Sequence, residues 1–333
     1  MHGKAIDQAR TYKYLGDVIS NDFNNELYRS RLNKAKGYAA TVVAMSTEIS
    51  LGYQMFNVVK LLHQTMFLNG TMVNMETWTH FNEKRLVMFE QVEQQLLRQI
   101  LRAHSKTPIE TLYLEMGVIP FRFHLMKRRI LYYYTLMQRS EHELTRKILD
   151  EQKKNPLNGD FYKQVQNDMN YLNIDNNQIN ILSRESLKTI ITCKIKAISF
   201  EYLICKAKTH NKVKSDIYFD INGCKYFHDK RFQPELSQLI FKLRTRMYGV
   251  KANFRNKYKE DMSCPLCNKD VDNQSHLFEC NVLNIDDDSN EKPNAVYDDL
   301  FSCDIVKVYA AALLVKKLIN KRESIIDESL KIN

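Results

Sequence analysis

Glycine and proline are scarce in this chain, 9 and 6 of 333 residues. Folds rich in turns spend those residues freely. Their scarcity, with apolar residues mostly three and four apart, predicts helices in place of a large sheet. No apolar run reaches the roughly 18 residues of a membrane span, so no membrane partner is expected. The opening stretch MHGKAIDQARTYKYLG lacks an apolar h-region and is not read as a signal peptide. Neither an internal repeat nor a sustained heptad is present. The seven cysteines are an odd, scattered set: Cys193, Cys205, Cys224, Cys264, Cys267, Cys280 and Cys303, of which three lie in a tight cluster. A disulfide framework would be denser. This usage predicts a reducing compartment, nuclear or cytoplasmic and not secreted, with thiols available to metal. The sequons at Asn69 and Asn273 are then coincidental.

What the chain does have is positive charge. Lys and Arg exceed Asp and Glu by 49 to 39, a net charge of +10, which favours a polyanionic partner. The length suits two or three packed units.

The first twenty residues look strand-like through YKYLGDVIS, and helical spacing begins after Asn24 with Leu27, Arg31, Leu32 and Ala35. A second helix is expected over Tyr53 to Leu68 and a third over residues 84–103. In the third, Leu86, Phe89, Val92, Leu96, Ile100 and Leu101 form the core stripe, and Glu93, Gln94, Arg98 and Arg102 fall outside it. In TPIETLYLEMG, Thr107 and Glu110 are placed for a capping box, Pro108 for the first turn, and Gly117 for a left-handed terminator. A long helix follows in FRFHLMKRRILYYYTLMQR, with Leu125, Met126, Ile130, Tyr133 and Met137 inward and His124, Lys127 and Arg128 on a basic edge. Residues 150–180, rich in Asn and poor in aliphatics, read as linker with weak helix at most. Further helices are expected at residues 189–208 and in PELSQLIFKLRTRMYG, with a short hairpin around Asn222-Gly223 between them. An acidic loop and a last amphipathic helix over about 299–321 close the chain, with Asp298 and Asp299 at that helix's N-terminus.

The most specific signal is CPLCNKDVDNQSHLFEC, residues 264–280. A gap of two residues lets Cys264 and Cys267 face one ion from a tight turn, which Pro265 and Asn268 suit. His276 and Cys280, four apart, share a face of one helical turn. Three thiolates and an imidazole complete a zinc tetrahedron with no position left for water, so the expected Zn2+ is structural. Leu266 and Phe278 supply a small core. Just upstream, Lys242, Arg244, Arg246, Lys251, Arg255, Lys257 and Lys259 alternate with aromatics that include Phe254 and Tyr258. Cations neutralise phosphates and aromatic faces stack on unpaired bases, so the alternation suits single-stranded or flexible nucleic acid. A solvated basic helix face with inward aromatics is the plainer reading of the same residues.

KYLGDVIS, TPIETLYLEMGVIPFRFHLMKRRILYY, KLRTRMYGVKANFRNKY and CPLCNKDVDNQSHLFEC resemble, in that order, the C-terminal part of non-LTR (LINE-type) retrotransposon reverse transcriptases. The resemblance implies a mainly α fold: a helical thumb-like bundle, a helical connector, a small CCHC zinc knuckle and a C-terminal helix. It divides the chain into an end-of-palm remnant (1–22), a thumb-like helical domain (23–140), an Asn-rich linker (141–190), a basic connector (191–262), the knuckle (263–283), and an acidic loop with the final helix (284–333). Carried over residue by residue, the metal ligands fall on Cys264, Cys267, His276 and Cys280, and the thumb's basic edge on Lys127, Arg128 and Arg129. The family's polymerases need an early palm carboxylate and an aromatic-x-Asp-Asp turn to hold two metals, and both precede KYLG. Neither occurs here; VYDD, residues 296–299, follows the knuckle and has Val in the aromatic position. The expectation is therefore an RNA- or DNA-binding segment that is not itself a polymerase or other enzyme, with the missing polymerase portion or self-association as further partners. The alternative is a zinc-stabilised scaffold for protein partners.

Overall fold

The computed structural model describes residues 11–14, 17–20, 25–48, 52–78, 81–214, 217–258, 261–283 and 293–332. Helices dominate, as the low glycine and proline content predicts. Among the described residues the strands are short: β1 (Thr11–Tyr14) pairs antiparallel with β2 (Asp17–Ser20), Thr11 opposite Ser20 and Tyr14 opposite Asp17. The described residues fall into two compact units. One draws on residues 1–48, 61–96 and 119–198, the other on 49–60, 97–118 and 199–333.

In the first unit, α1 (Asn25–Glu48) buries Tyr28, Arg31, Ala35, Ala39 and Val42, a stripe at helical spacing. Tyr28 meets Trp78 edge to face at 5.0 Å and stacks on Phe81 at 5.9 Å, with the Arg85 guanidinium 3.7 Å above its ring centroid. The expected second helix is broken into α2 (Met55–Leu62), a π-helical stretch (His63–Leu68) and α3 (Asn69–Thr71). The third helix is α4 (Glu83–Ile100). Its Glu93 was expected outside the core stripe, yet it is fully buried. One carboxylate oxygen lies 2.8 Å from His63 Nε2. The other accepts the Phe121 N–H at 2.9 Å, one of the donors left open at the start of α6 (Phe121–Met137).

The stretch expected as linker is folded instead. It forms α7 (Leu144–Lys154), α8 (Phe161–Tyr171) and α9 (Asn176–Ile181), and these helices bury Leu149, Phe161, Val165, Met169 and Ile179. Few apolar residues suffice because Phe161, Val165 and Met169 recur every fourth position and so fall on one face. The asparagines serve turns: Asn173 takes a left-handed φ of 52°, and beyond it Asp175 and Gln178 cap α9 reciprocally.

Within α6, burial drives the His124 imidazole down to about 3, with the nearby His63 and Lys127 acting in the same direction. A depressed imidazole is neutral when folded but takes a proton when unfolded. Stability is therefore complete above about pH 6.5 and is lost as pH falls towards the folded value. Denaturant titration should show a loss of about 2 kcal/mol between pH 7 and pH 5 that shrinks in His124→Gln. An unchanged pH step in that variant would show that His124 titrates normally.

In the second unit, α5 (Ile109–Met116) ends at Gly117 with φ 61° and ψ 39°, the left-handed terminator expected. The capping box does not form. The helix starts one residue late for Thr107, whose hydroxyl is buried without a hydrogen-bond partner, and Glu110 lies 3.1 Å from His210 Nε2 instead. Asn222-Gly223 makes a turn and no strand pair among the described residues: the Gly223 N–H donates to Asp220 O at 2.9 Å. A Cβ on Gly117 would lie 2.0 Å from the Asn222 carbonyl oxygen, so backbone packs directly on backbone here.

Of the helices expected next, α10 is Arg184–Ala207 and α11 is Pro234–Arg244. After α12 (His276–Glu279) come α13 (Pro293–Asp299) and α14 (Ile305–Ile332). Asp298 and Asp299 thus close α13 and do not open the last helix. Asp304 holds that position and accepts the Val306 N–H at 2.9 Å. Among the described residues, no helix is long and apolar enough to cross a membrane.

Candidate metal centre and basic concavity

The chain folds tightly around the four predicted ligands. Cys264 N–H donates to Asp270 O at 2.7 Å and Asn268 N–H to Cys264 O at 2.9 Å, while a β-bridge joins Ser263 to Val271. Asn268 adopts φ 51°, a left-handed conformation that asparagine tolerates better than most residues. The Asn273 carboxamide oxygen accepts the His276 N–H at 2.9 Å and sets the start of α12, which carries His276 and leads to Cys280. The ligand atoms of Cys264, Cys267, His276 and Cys280 all lie within 4.8 Å of one another. Cys264 Sγ is 4.0 Å from Cys280 Sγ, and Cys267 Sγ is 3.4 Å from His276 Nε2. A tetrahedral zinc ion with Zn–S of about 2.3 Å and Zn–N of about 2.0 Å would set these separations at about 3.8 and about 3.5 Å. The donor set and its spacing fit zinc.

The surroundings treat Cys267 and Cys280 differently, favouring the thiolate at the first and opposing it at the second. The Asp270 and Lys269 backbone N–H groups hold the Cys267 thiol down to about 6, whereas burial pushes Cys280 up. Cys264 and Cys280 pack with Val250, Leu277, Leu283 and Leu318, and the expected Leu266 and Phe278 border this small core. Asp272, between the second and third ligands, ties the segment to α14. Its carboxylate accepts both Arg322 Nη atoms at 2.8 and 3.0 Å, and also the Lys251 N–H at 2.9 Å. The Asp270 carboxylate stands 4.0 Å from His276 Nδ1, beyond hydrogen-bond reach.

The predicted nucleic-acid contacts are scattered by the fold. Arg244 is buried, its Nε 2.8 Å from Glu115 Oε1, with Nη1 and Nη2 donating to the Leu300 and Tyr218 carbonyls at 2.7 Å each. Arg129 is likewise buried, bidentate to Asp168 at 2.6 and 2.9 Å. Neither guanidinium can meet a phosphate, because each is spent on an internal carboxylate. Lys127 donates to Thr192 Oγ1 at 2.8 Å, and Arg128 is half-buried. Lys242 is half-buried and held below the usual lysine range by burial and by Arg102. Lys251 pairs with Asp261 at 2.6 Å. Lys257 is exposed, 5.1 Å above the Tyr258 ring centroid. Lys259 lies outside the described residues.

Arg246, Phe254 and Arg255 do come together. They line a concavity of about 680 Å³ with Lys106 and Lys212. Those two lysines come from distant segments, and of the two only Lys212 had a sequence signal, the basic run KAKTHNKVK. Burial holds Lys212 below the ordinary lysine range, and Lys106 adds to the effect. Among the described residues, the lining includes no acid.

The chain matches no protein-family model, no curated protein and no solved structure.

Proposed function

We propose that the chain binds nucleic acid through the basic concavity, with zinc holding the segment that forms one of its walls. The observation that carries this reading is the convergence of Lys106, Lys212, Arg246 and Arg255 on one hollow whose lining, among the described residues, holds no carboxylate. Like charges gathered around a concave surface repel one another, and a bound polyanion relieves that cost. The resemblance noted in the sequence supports the same reading. On it, the chain is the thumb, connector and CCHC-knuckle portion of a non-LTR retrotransposon reverse transcriptase, and grips RNA or DNA without carrying out polymerisation itself.

The test is binding of zinc-loaded protein to labelled single-stranded RNA and duplex DNA across a salt series. Four neutralised phosphates on a single strand predict a log–log salt slope of about −3. Reversing Lys212, Arg246 and Arg255 to Glu should flatten that slope and weaken binding on every sequence alike, with zinc content unchanged. A shallow slope indifferent to the reversals would remove the nucleic-acid reading and leave a zinc-stabilised scaffold for protein partners.

A further inference from the structure

The same concavity carries more than charge. At about 680 Å³ it lies within the size range of small-ligand sites. Five side-chain amides share the lining with the cations: Asn211, Asn253, Asn256, Asn273 and Gln274. A phosphate, whose oxygens only accept, can take the carboxamide N–H donors but leaves the carboxamide oxygens unmatched. The edge of a nucleobase offers donors and acceptors side by side, which is what amides match.

Two of these amides are fixed in place. Gln274 is buried; its Nε2 donates to Leu243 O at 2.9 Å and to the Tyr297 hydroxyl at 3.1 Å. Its Oε1 accepts from Asn253 Nδ2 at 2.9 Å, and that nitrogen also donates to Tyr248 O at 2.7 Å. Both Asn253 amide protons are thereby engaged, so Asn253 meets a ligand as an acceptor through Oδ1. Phe254 follows on the 3-10 turn Lys251–Phe254, where its ring packs against the His104 imidazole edge to face at 4.9 Å. An aromatic ring held at the wall of a cationic hollow is a stacking platform for a base.

We infer that the concavity holds one unstacked nucleotide, its phosphate among the lysines and arginines and its base against Phe254 and the fixed amides. The inference rests on the nucleic-acid reading and sharpens it: a residue swung out of a single strand is the expected occupant, and a free nucleoside monophosphate offers the same chemistry.

The experiment uses the full zinc-loaded chain and two single-stranded oligomers of equal length and charge, one with bases and one abasic throughout. The abasic oligomer should bind about fivefold or more weakly, the least that one stacked base is expected to contribute. Phe254→Ala should lose that same factor on the base-bearing oligomer and nothing on the abasic one, while Phe254→Tyr keeps it. A nucleoside monophosphate should displace the base-bearing oligomer at concentrations where inorganic phosphate does not. Equal binding of the two oligomers, or a monophosphate no better than phosphate, overturns the inference, and a steep salt slope alongside would leave the broader nucleic-acid reading intact. Binding of the monophosphate with no salt-dependent binding of any oligomer does the reverse: the pocket stands with a free nucleotide as its occupant, and the proposed strand binding falls.

Discussion

Glu115→Ala is expected to cost about 3–5 kcal/mol, a large fraction of the stability of an ordinary domain. The cost comes from what is left behind. Arg244 is 2% exposed, and its charge is tolerated because Glu115 Oε1 sits 2.8 Å from Nε while two carbonyls take its Nη protons. Burial alone would push this guanidinium down, yet its surroundings hold it above the usual arginine range, with Glu115 the principal favourable charge. Truncating Glu115 also strips the acceptor 2.6 Å from the buried Tyr226 hydroxyl, so two desolvated donors lose a partner at once. Removing both charges in Glu115→Ala/Arg244→Met should recover part of the loss, because no buried charge is then left uncompensated, while the Tyr226 hydroxyl still lacks its acceptor. Urea titration of the two single variants and the double variant measures this. A single-variant cost below about 1 kcal/mol would show that the pair is solvated and contributes little. The same network changes what Arg244→Glu can report: it would place two carboxylates together in a dry core and unfold the chain, so any loss of nucleic-acid binding would say nothing about contact.

How much of this was legible in the sequence follows from the range of each interaction. The knuckle was readable because its ligands lie within 17 residues and its geometry is set by local turns. The helices were readable where apolar spacing is dense. Buried acids were not. Glu93, Glu115 and Asp272 look like solvated positions in the sequence, and their partners His63, Arg244 and Arg322 lie 30, 129 and 50 residues away. Spacing along the chain carries no record of such pairs. The asparagine-rich stretch misled for a related reason: its composition is polar, but the few apolar residues of α8 fall on one face, and Asp168 engages Arg129 from α6. The basic-aromatic alternation of residues 241–259 is real, yet α11 turns Arg244 inward while Arg246 and Arg255 line the concavity, a division that only the fold makes.

His276→Ala should abolish tight zinc binding and loosen residues 261–283 while α6 to α9 keep their protection. Structural zinc contributes apparent binding free energies of about 10–16 kcal/mol in small finger peptides, and that contribution is lost with the ligand. The damage should not stop at the ligands. Asp272 and Gln274 lie between Cys267 and His276, so freeing that loop releases the Arg322 pair that docks it on α14 and the Gln274 bonds that brace Leu243 and Tyr297. Because Gln274, Asn273 and Ser275 all line the concavity, metal loss and loss of nucleotide binding should appear together in a chelator titration of the unmodified protein. His276→Cys, which restores a fourth soft donor, should recover metal content and both of these properties. Metal analysis with hydrogen exchange over residues 245–283 decides the matter. One full equivalent of zinc in His276→Ala, or exchange unchanged after chelation, would show that this segment folds on packing alone. The concavity would then keep its shape without the ion, and nucleotide binding would be independent of zinc.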